Sequence, residues 1–148
     1  MAIALNQQNK QEQAVATMKT ALAKFSNNKQ VKDAFDSING DFVNSKLEEA
    51  AKYFDQKDYQ KAIEIYSMLN PSSTDSLLGI ASSYQSMNDY DNALKYYEEA
   101  LKKAPTNSEI AYYIATIYAD KKDFESAKIY LNKSISNNKN NNNAQNIL

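Results

Sequence analysis

The sequence predicts an all-α solenoid of stacked helix pairs, and three observations predict it. The first is a recurring nine-residue pattern. Asp89-Tyr90-Asp91-Asn92-Ala93-Leu94-Lys95-Tyr96-Tyr97 returns 34 residues later as Asp123-Phe124-Glu125-Ser126-Ala127-Lys128-Ile129-Tyr130-Leu131. It also occurs 31 residues earlier as Asp58-Tyr59-Gln60-Lys61-Ala62-Ile63-Glu64-Ile65-Tyr66. A near-constant period of this size marks stacked supersecondary units rather than one globular core. The second observation is helical periodicity within each period: Leu77, Ile80, Ala81 and Tyr84 fall at i, i+3, i+4 and i+7. The third is punctuation. An aspartate stands where each second helix would open, and proline or a polar turn stands where it would close.

Taken in chain order, residues 1–28 carry Ala2, Leu5, Ala14, Met18, Ala21 and Leu22 and are expected to form a partial N-terminal repeat. Residues 29–42 interrupt the register. Val31, Phe35 and Ile38 give two helical turns and Asn39-Gly40 a stop signal, so an irregular helical insertion is expected there. Residues 43–73 form a short repeat, with helices near 44–54 and 58–69 and an end at Asn70-Pro71. Residues 74–107 form a full repeat. Its first helix, near 75–86, is followed by the turn Ser86-Met87-Asn88, and Asp89 caps the second, near 90–103. In that helix Tyr90, Ala93, Tyr97, Ala100 and Leu101 make the apolar stripe, and Ala104-Pro105 ends it because proline cannot continue a helix. Residues 108–141 repeat the layout, with helices near 109–119 and 124–136. Residues 142–148 are a tail or the start of a truncated repeat. The asparagine tract at 137–143 cannot bury apolar area, and disorder or fraying is expected there.

The small residues have a mechanical role: alanine at 81, 93, 115 and 127 lets two helix backbones approach closely. The aromatics Tyr84, Tyr90, Tyr118 and Phe124 are expected to fill the space beside them. On these residues the chain resembles the tetratricopeptide repeat (TPR) superfamily. That pattern has small residues at unit positions 8, 20 and 27, aromatics at 11 and 17, and proline at 32. Residues 74–107 match it at Ala81, Tyr84, Tyr90, Ala93, Ala100 and Pro105, and residues 43–73 at Ala50, Tyr53, Tyr59 and Ala62. Residues 108–141 match at Ala115, Tyr118, Phe124 and Ala127, with Ser134 and Lys139 where alanine and proline are usual. The resemblance implies a right-handed α-α superhelical solenoid. In its numbering Met1 and Leu148 both stand at position 7, inside a unit, so a fragment of a longer repeat protein is expected, with a naturally degenerate half-repeat at each end as the alternative.

Composition removes most chemistries. The chain has no histidine and no cysteine, and every basic residue is lysine. That removes the usual general base, imidazole and thiolate metal ligands, disulfides, and the bidentate guanidinium clamp. Gly40 and Gly79 are the only glycines, too few for a phosphate-binding loop. The adjacent pairs Glu48-Glu49 and Glu98-Glu99 point in different directions on a helix. The turns at 55–58 and 120–123 lack the glycine and distal glutamate of a calcium loop. No enzyme activity, cofactor or metal is expected. Net charge is −1 with lysines dispersed along the chain, which is no footprint for nucleic acid. No apolar stretch approaches a membrane span, and Met1-Ala2-Ile3-Ala4-Leu5-Asn6 lacks the basic start of a signal peptide. The compartment is left open between the cytoplasm and, should a signal lie outside this fragment, the envelope.

The resemblance also implies a binding face. In the family, first helices line a concave groove, and its positions map to Asn44, Leu47, Ala51, Phe54 and Asp55, then Asp75, Leu78, Ser82, Gln85 and Ser86, then Glu109, Tyr112, Thr116, Ala119 and Asp120. Leu47, Phe54, Leu78 and Tyr112 form an apolar strip bordered by Asp55, Asp75, Glu109 and Asp120. The expected function is a non-catalytic protein–protein interaction scaffold whose groove takes a peptide or helix, one with some basic residues suiting it. One subgroup clamps the carboxylate of chaperone tails, but its positions hold Leu47, Ala51, Gly79 and Tyr113 here. Two alternatives are a structural segment that stacks homotypically through its repeat ends and a regulatory module of an enzyme outside this chain.

Overall fold

The computed structural model describes residues 2–69 and 73–138 and, of the side chains, those from Lys10 onward. Seven helices account for nearly all of these residues. They are α1 (Ala2–Lys24), α2 (Lys29–Asp55), α3 (Tyr59–Met68), α4 (Thr74–Ser86), α5 (Tyr90–Lys103), α6 (Ser108–Asp120) and α7 (Phe124–Asn137). The chain is all-α. It divides into two compact units, Met1–Glu49 and Ala50–Leu148, with the boundary inside α2.

In the second unit one turn geometry is used three times. The carbonyls of Tyr53, Tyr84 and Tyr118 accept from the N–H of Asp58, Asp89 and Asp123, and the residue before each aspartate (Lys57, Asn88, Lys122) is left-handed at φ 62°, 60° and 62°. These bonds satisfy carbonyls that a helix end leaves open. Each aspartate then turns its carboxylate to the next helix: Asp58 accepts from the N–H of Lys61, Asp89 from Asn92 and Asp123 from Ser126. The Ser126 hydroxyl donates to the same side chain at 2.7 Å, and these bonds hold the Asp123 carboxyl below its usual range. The repeated motif in the sequence is therefore a two-step stop and start, which ends one helix and opens the next within a few residues.

The small residues lie at the helix crossings. Ala50, Ala62, Ala81, Ala93, Ala100, Ala115 and Ala127 are all buried. Ser134, where the family has alanine, is also fully buried; its hydroxyl donates to the carbonyl of Ser108 at 2.7 Å, so the polar atom costs little. Around them Leu77, Leu94, Tyr97, Leu101, Ile110, Ile114 and Ile117 form one core, with Tyr84, Tyr90, Tyr118 and Tyr130 packed half-buried against it. Tyr84 stacks on Tyr96 and, 34 residues on, Tyr118 stacks on Tyr130, with ring centroids 5.7 and 5.6 Å apart. Phe124 is the exception among the expected packing aromatics. It is 67% exposed: Tyr90, which opens α5 in the same way, is packed against the core, whereas no further helix is described after α7.

Two expectations are corrected. Asn39-Gly40 does not stop a helix: α2 runs without a break from Lys29 to Asp55, and residues 29–42 are regular helix rather than an irregular insertion. A stop requires a left-handed residue or a cap, and Gly40 has no positive φ. The roughly 1 kcal/mol that a mid-helix glycine costs relative to alanine is too little to break a long helix. The asparagine tract is helical at Asn137, which ends α7, and its residues from Lys139 lie outside the described residues. The part-repeat stripe at Ala2 and Leu5 lies outside the described side chains.

Candidate functional site

The residues assigned to a binding face come from α4 and α6 and from the end of α2. On α4, Asp75, Leu78, Ser82 and Gln85 recur at helical spacing, as do Glu109, Tyr112 and Thr116 on α6. Their solvent exposure separates them by type. The carboxylates Asp55, Asp75, Glu109 and Asp120 are exposed, while Leu78, Ser82, Gln85, Tyr112 and Thr116 are half-buried. Leu78 is drawn partly into the main core. Tyr112 packs against Ala115 and Leu131.

Three of the assigned polar residues are brought together by one that was read only as core. Tyr97, on α5, is 1% exposed, yet its hydroxyl must keep a partner once buried. That hydroxyl donates to Gln85 Oε1 at 3.0 Å and shares a hydrogen with Ser82 Oγ at 2.9 Å. Gln85 Nε2 reaches Thr116 Oγ1 at 3.4 Å, and Thr116 Oγ1 donates to the Tyr113 carbonyl at 2.8 Å. A polar line thus crosses from α4 through α5 to α6. Burial pushes the Tyr97 phenol up to about 12, against a smaller lowering by the Ser82 hydrogen bond.

Beside this line lies an aromatic group. The Tyr97 ring stacks on Tyr113 with centroids 5.5 Å apart, and Tyr113 meets Tyr112 at 5.9 Å. Tyr113 is 37% exposed and presents the outer ring of the three. Neither Tyr97 nor Tyr113 was among the expected binding residues. The signal for Tyr97 was a hydroxyl on a core stripe, which has to be directed toward the nearest polar neighbours. Phe54 lies apart from this group in edge-to-face contact with Tyr59, at 5.3 Å. Leu47 belongs to the first unit, so the strip is described only from Phe54 onward.

Among the described residues no group of three or more aspartates or glutamates is placed to hold a metal ion. No described helix is long and apolar enough to cross a membrane.

Residues 84–148, which include α5, α6 and α7, match the sequence model of the family described as tetratricopeptide repeat. Among curated proteins, none matches the chain in sequence. Similar solved structures include the type III secretion translocator chaperone SycD of Yersinia enterocolitica, at 17% identity and a TM-score of 0.66 over 72% of this chain and 82% of that one. The first TPR of Spaghetti (RPAP3), bound to the HSP90 peptide SRMEEVD, is similar at 21% identity and a TM-score of 0.66 over 72% and 86%. PcrH in complex with the chaperone binding region of PopB is similar at 16% identity and a TM-score of 0.61 over 66% and 81%. At these identities the likeness is one of fold.

Proposed function

We propose that this tetratricopeptide-repeat protein is a non-catalytic scaffold that holds a peptide or helical segment of a partner protein on the face built by α4 and α6. The observation that carries the reading is the aromatic group Tyr97, Tyr113 and Tyr112, backed by a satisfied polar line and bordered by exposed carboxylates. Rigid tyrosines give large contact area at low entropic cost and are favoured anchors for partners. Asp75, Glu109 and Asp120 favour a segment that carries lysine or arginine beside its apolar anchors. Proteins of similar fold are held with peptides or with a partner's binding region, which supports the class of partner. The tail-clamp alternative is disfavoured because Leu47, Ala51, Gly79 and Tyr113 occupy the positions where lysine, asparagine and arginine would be needed.

The test uses a panel of amphipathic peptides, each made in a lysine-bearing and a glutamate-bearing version, with binding read by fluorescence anisotropy. The lysine versions should bind more tightly, and the preference should shrink with added salt. Tyr112→Ala should weaken them by about 1–2 kcal/mol or more. Indifference to Tyr112→Ala, or a preference for the glutamate versions on this face, would overturn the reading.

A further inference from the structure

The opposite pair of helices leaves a cleft that the proposed function does not use. Between α5 and α7 lies a space of about 380 Å³, lined by Glu98, Leu101, Lys102, Pro105, Tyr130 and Lys133. Its volume falls in the range of sites that accept one or two side chains or a small ligand. The floor is apolar: Leu101 is buried, Pro105 lines it, and Tyr130 stacks on Tyr118. Two ammonium groups flank that floor. Among the described residues neither Lys102 nor Lys133 forms an ion pair.

The lysine pair is not a by-product of the repeat. One unit earlier, 34 residues back, Tyr130 corresponds to Tyr96, so the aromatic floor is kept. Lys133 corresponds to Glu99, and Lys102, 31 residues back, to Pro71. The positive charge therefore belongs to this cleft and not to the architecture. Nor does the helix dipole account for it fully, since Lys103 in the same last turn of α5 serves that end equally and does not line the space. Glu98 lies one turn before Lys102 on α5; burial raises the Tyr130 phenol, and the charge of Glu98 raises it further. Glu98 and Lys102, one turn apart on α5, therefore give the cleft a negative and a positive end.

We propose that the cleft between α5 and α7 docks an acidic peptide segment, seating one apolar side chain on Leu101, Pro105 and Tyr130 and its flanking carboxylates against Lys102 and Lys133. Glu98 sets the direction of the segment by accepting backbone N–H groups at the far end and repelling a second cluster of carboxylates there. The protein would then carry two faces of opposite preference, one for basic segments on α4 and α6 and one for acidic segments on α5 and α7.

The test uses capped peptides with a central Leu, Phe or Met flanked by aspartates, together with versions in which every aspartate is asparagine. Binding to the full chain is read by anisotropy and mapped by amide shifts in ¹⁵N spectra. Aspartate peptides should shift amides at 98–105 and 130–133. Their affinity should fall at least tenfold in the asparagine versions and in Lys102→Glu/Lys133→Glu. Lys102→Gln/Lys133→Gln should give a smaller loss in the same direction, and it carries the test should the reversal variant fail to fold. Tyr112→Ala should leave the affinity unchanged, which separates this cleft from the aromatic face. The proposal is overturned if no aspartate peptide gives saturable shifts, if the shifts fall on α4 and α6, or if neutralising both lysines leaves the affinity as it was.

Discussion

The two units of the chain are both helical, the first from long helices and the second from short ones, but they bury their residues very differently. From Ala50 onward every repeat contributes buried alanines and a buried aliphatic or aromatic partner for each. Among the described side chains of Met1–Glu49, the one buried residue is Lys46, and the apolar residues Ala14, Met18, Leu22, Val31, Phe35 and Ile38 are only half-buried. Lys46 pairs with Glu12 at 3.5 Å and Glu49 at 3.1 Å and lies near the face of Phe42. Apolar periodicity is present in both units, so periodicity alone does not make a core. The second unit adds small residues at fixed positions, which let the next helix come close enough to cover the stripe. Within the first unit, α2 offers Ala34 and Gly40 but no such buried series.

The largest test of that contrast is truncation of matched isoleucines. Ile114 is fully buried in the second unit, whereas Ile38 is half-buried in the first. Ile114→Ala should cost about 2–5 kcal/mol by lost transfer energy and an unfilled cavity. Ile38→Ala should cost about 1 kcal/mol or less, near the range of surface changes. Urea unfolding of both variants checks this, and equal losses would mean that the first unit holds a core of its own.

Alkaline pH should break the units apart in a second way. All eleven tyrosines lie at position 53 or later, so the first unit has none. Tyr97 releases its proton near 12 when folded and near 10.0 when unfolded. A phenol whose proton is held more tightly in the fold contributes its full stabilisation below pH 10 and loses it as pH rises through 12. The loss from this group is on the order of 2–3 kcal/mol. Tyr97→Phe removes this part of the pH dependence, although it also loses the bonds to Ser82 and Gln85. Denaturant curves at several alkaline pH values should therefore be flatter for Tyr97→Phe than for the parent chain.

How much of this was legible beforehand follows from where each signal resides. The turn aspartates, the crossing alanines and the six helices from 44 to 137 were readable because each acts within one unit and repeats at a fixed offset. The continuity of α2 was not, because Asn39-Gly40 is a stop signal only when the chain turns left-handed there, and neighbouring helix formers carry the helix through. The polar line at Tyr97 was hidden for another reason. Ser82 and Gln85 on α4 meet its hydroxyl, Gln85 passes the line to Thr116 on α6, and only the folded arrangement brings these three helices' polar atoms together. In the sequence Tyr113 marks only the absence of a clamp residue, and only the fold shows its exposed ring stacked on Tyr97.

The smallest expected effect is also the one that most sharply distinguishes the units, because it uses the two glycines. Both lie inside helices, so replacing either with alanine should add up to about 1 kcal/mol of helix preference and reduced unfolded-state entropy. At Gly40, in the first unit, a new Cβ would meet nothing within 4 Å, so Gly40→Ala should be stabilising by about that amount. At Gly79, on α4, the same Cβ would lie 2.5 Å from the ring of Tyr66 on α3. That is far inside van der Waals contact, so the half-buried ring has to move, and the strain should offset the helix gain or exceed it by about 1 kcal/mol. The ring, rather than the backbone, is the obstacle. Hence Tyr66→Ala should make Gly79→Ala favourable again, and the double-mutant cycle should show a coupling of about 1 kcal/mol or more. Thermal unfolding of the four combinations, with Gly40→Ala as the reference, decides it. If Gly79→Ala stabilises the parent chain as much as Gly40→Ala does, the α3–α4 contact is looser than the ring geometry requires, and the close packing that sets the second unit apart begins only at α5.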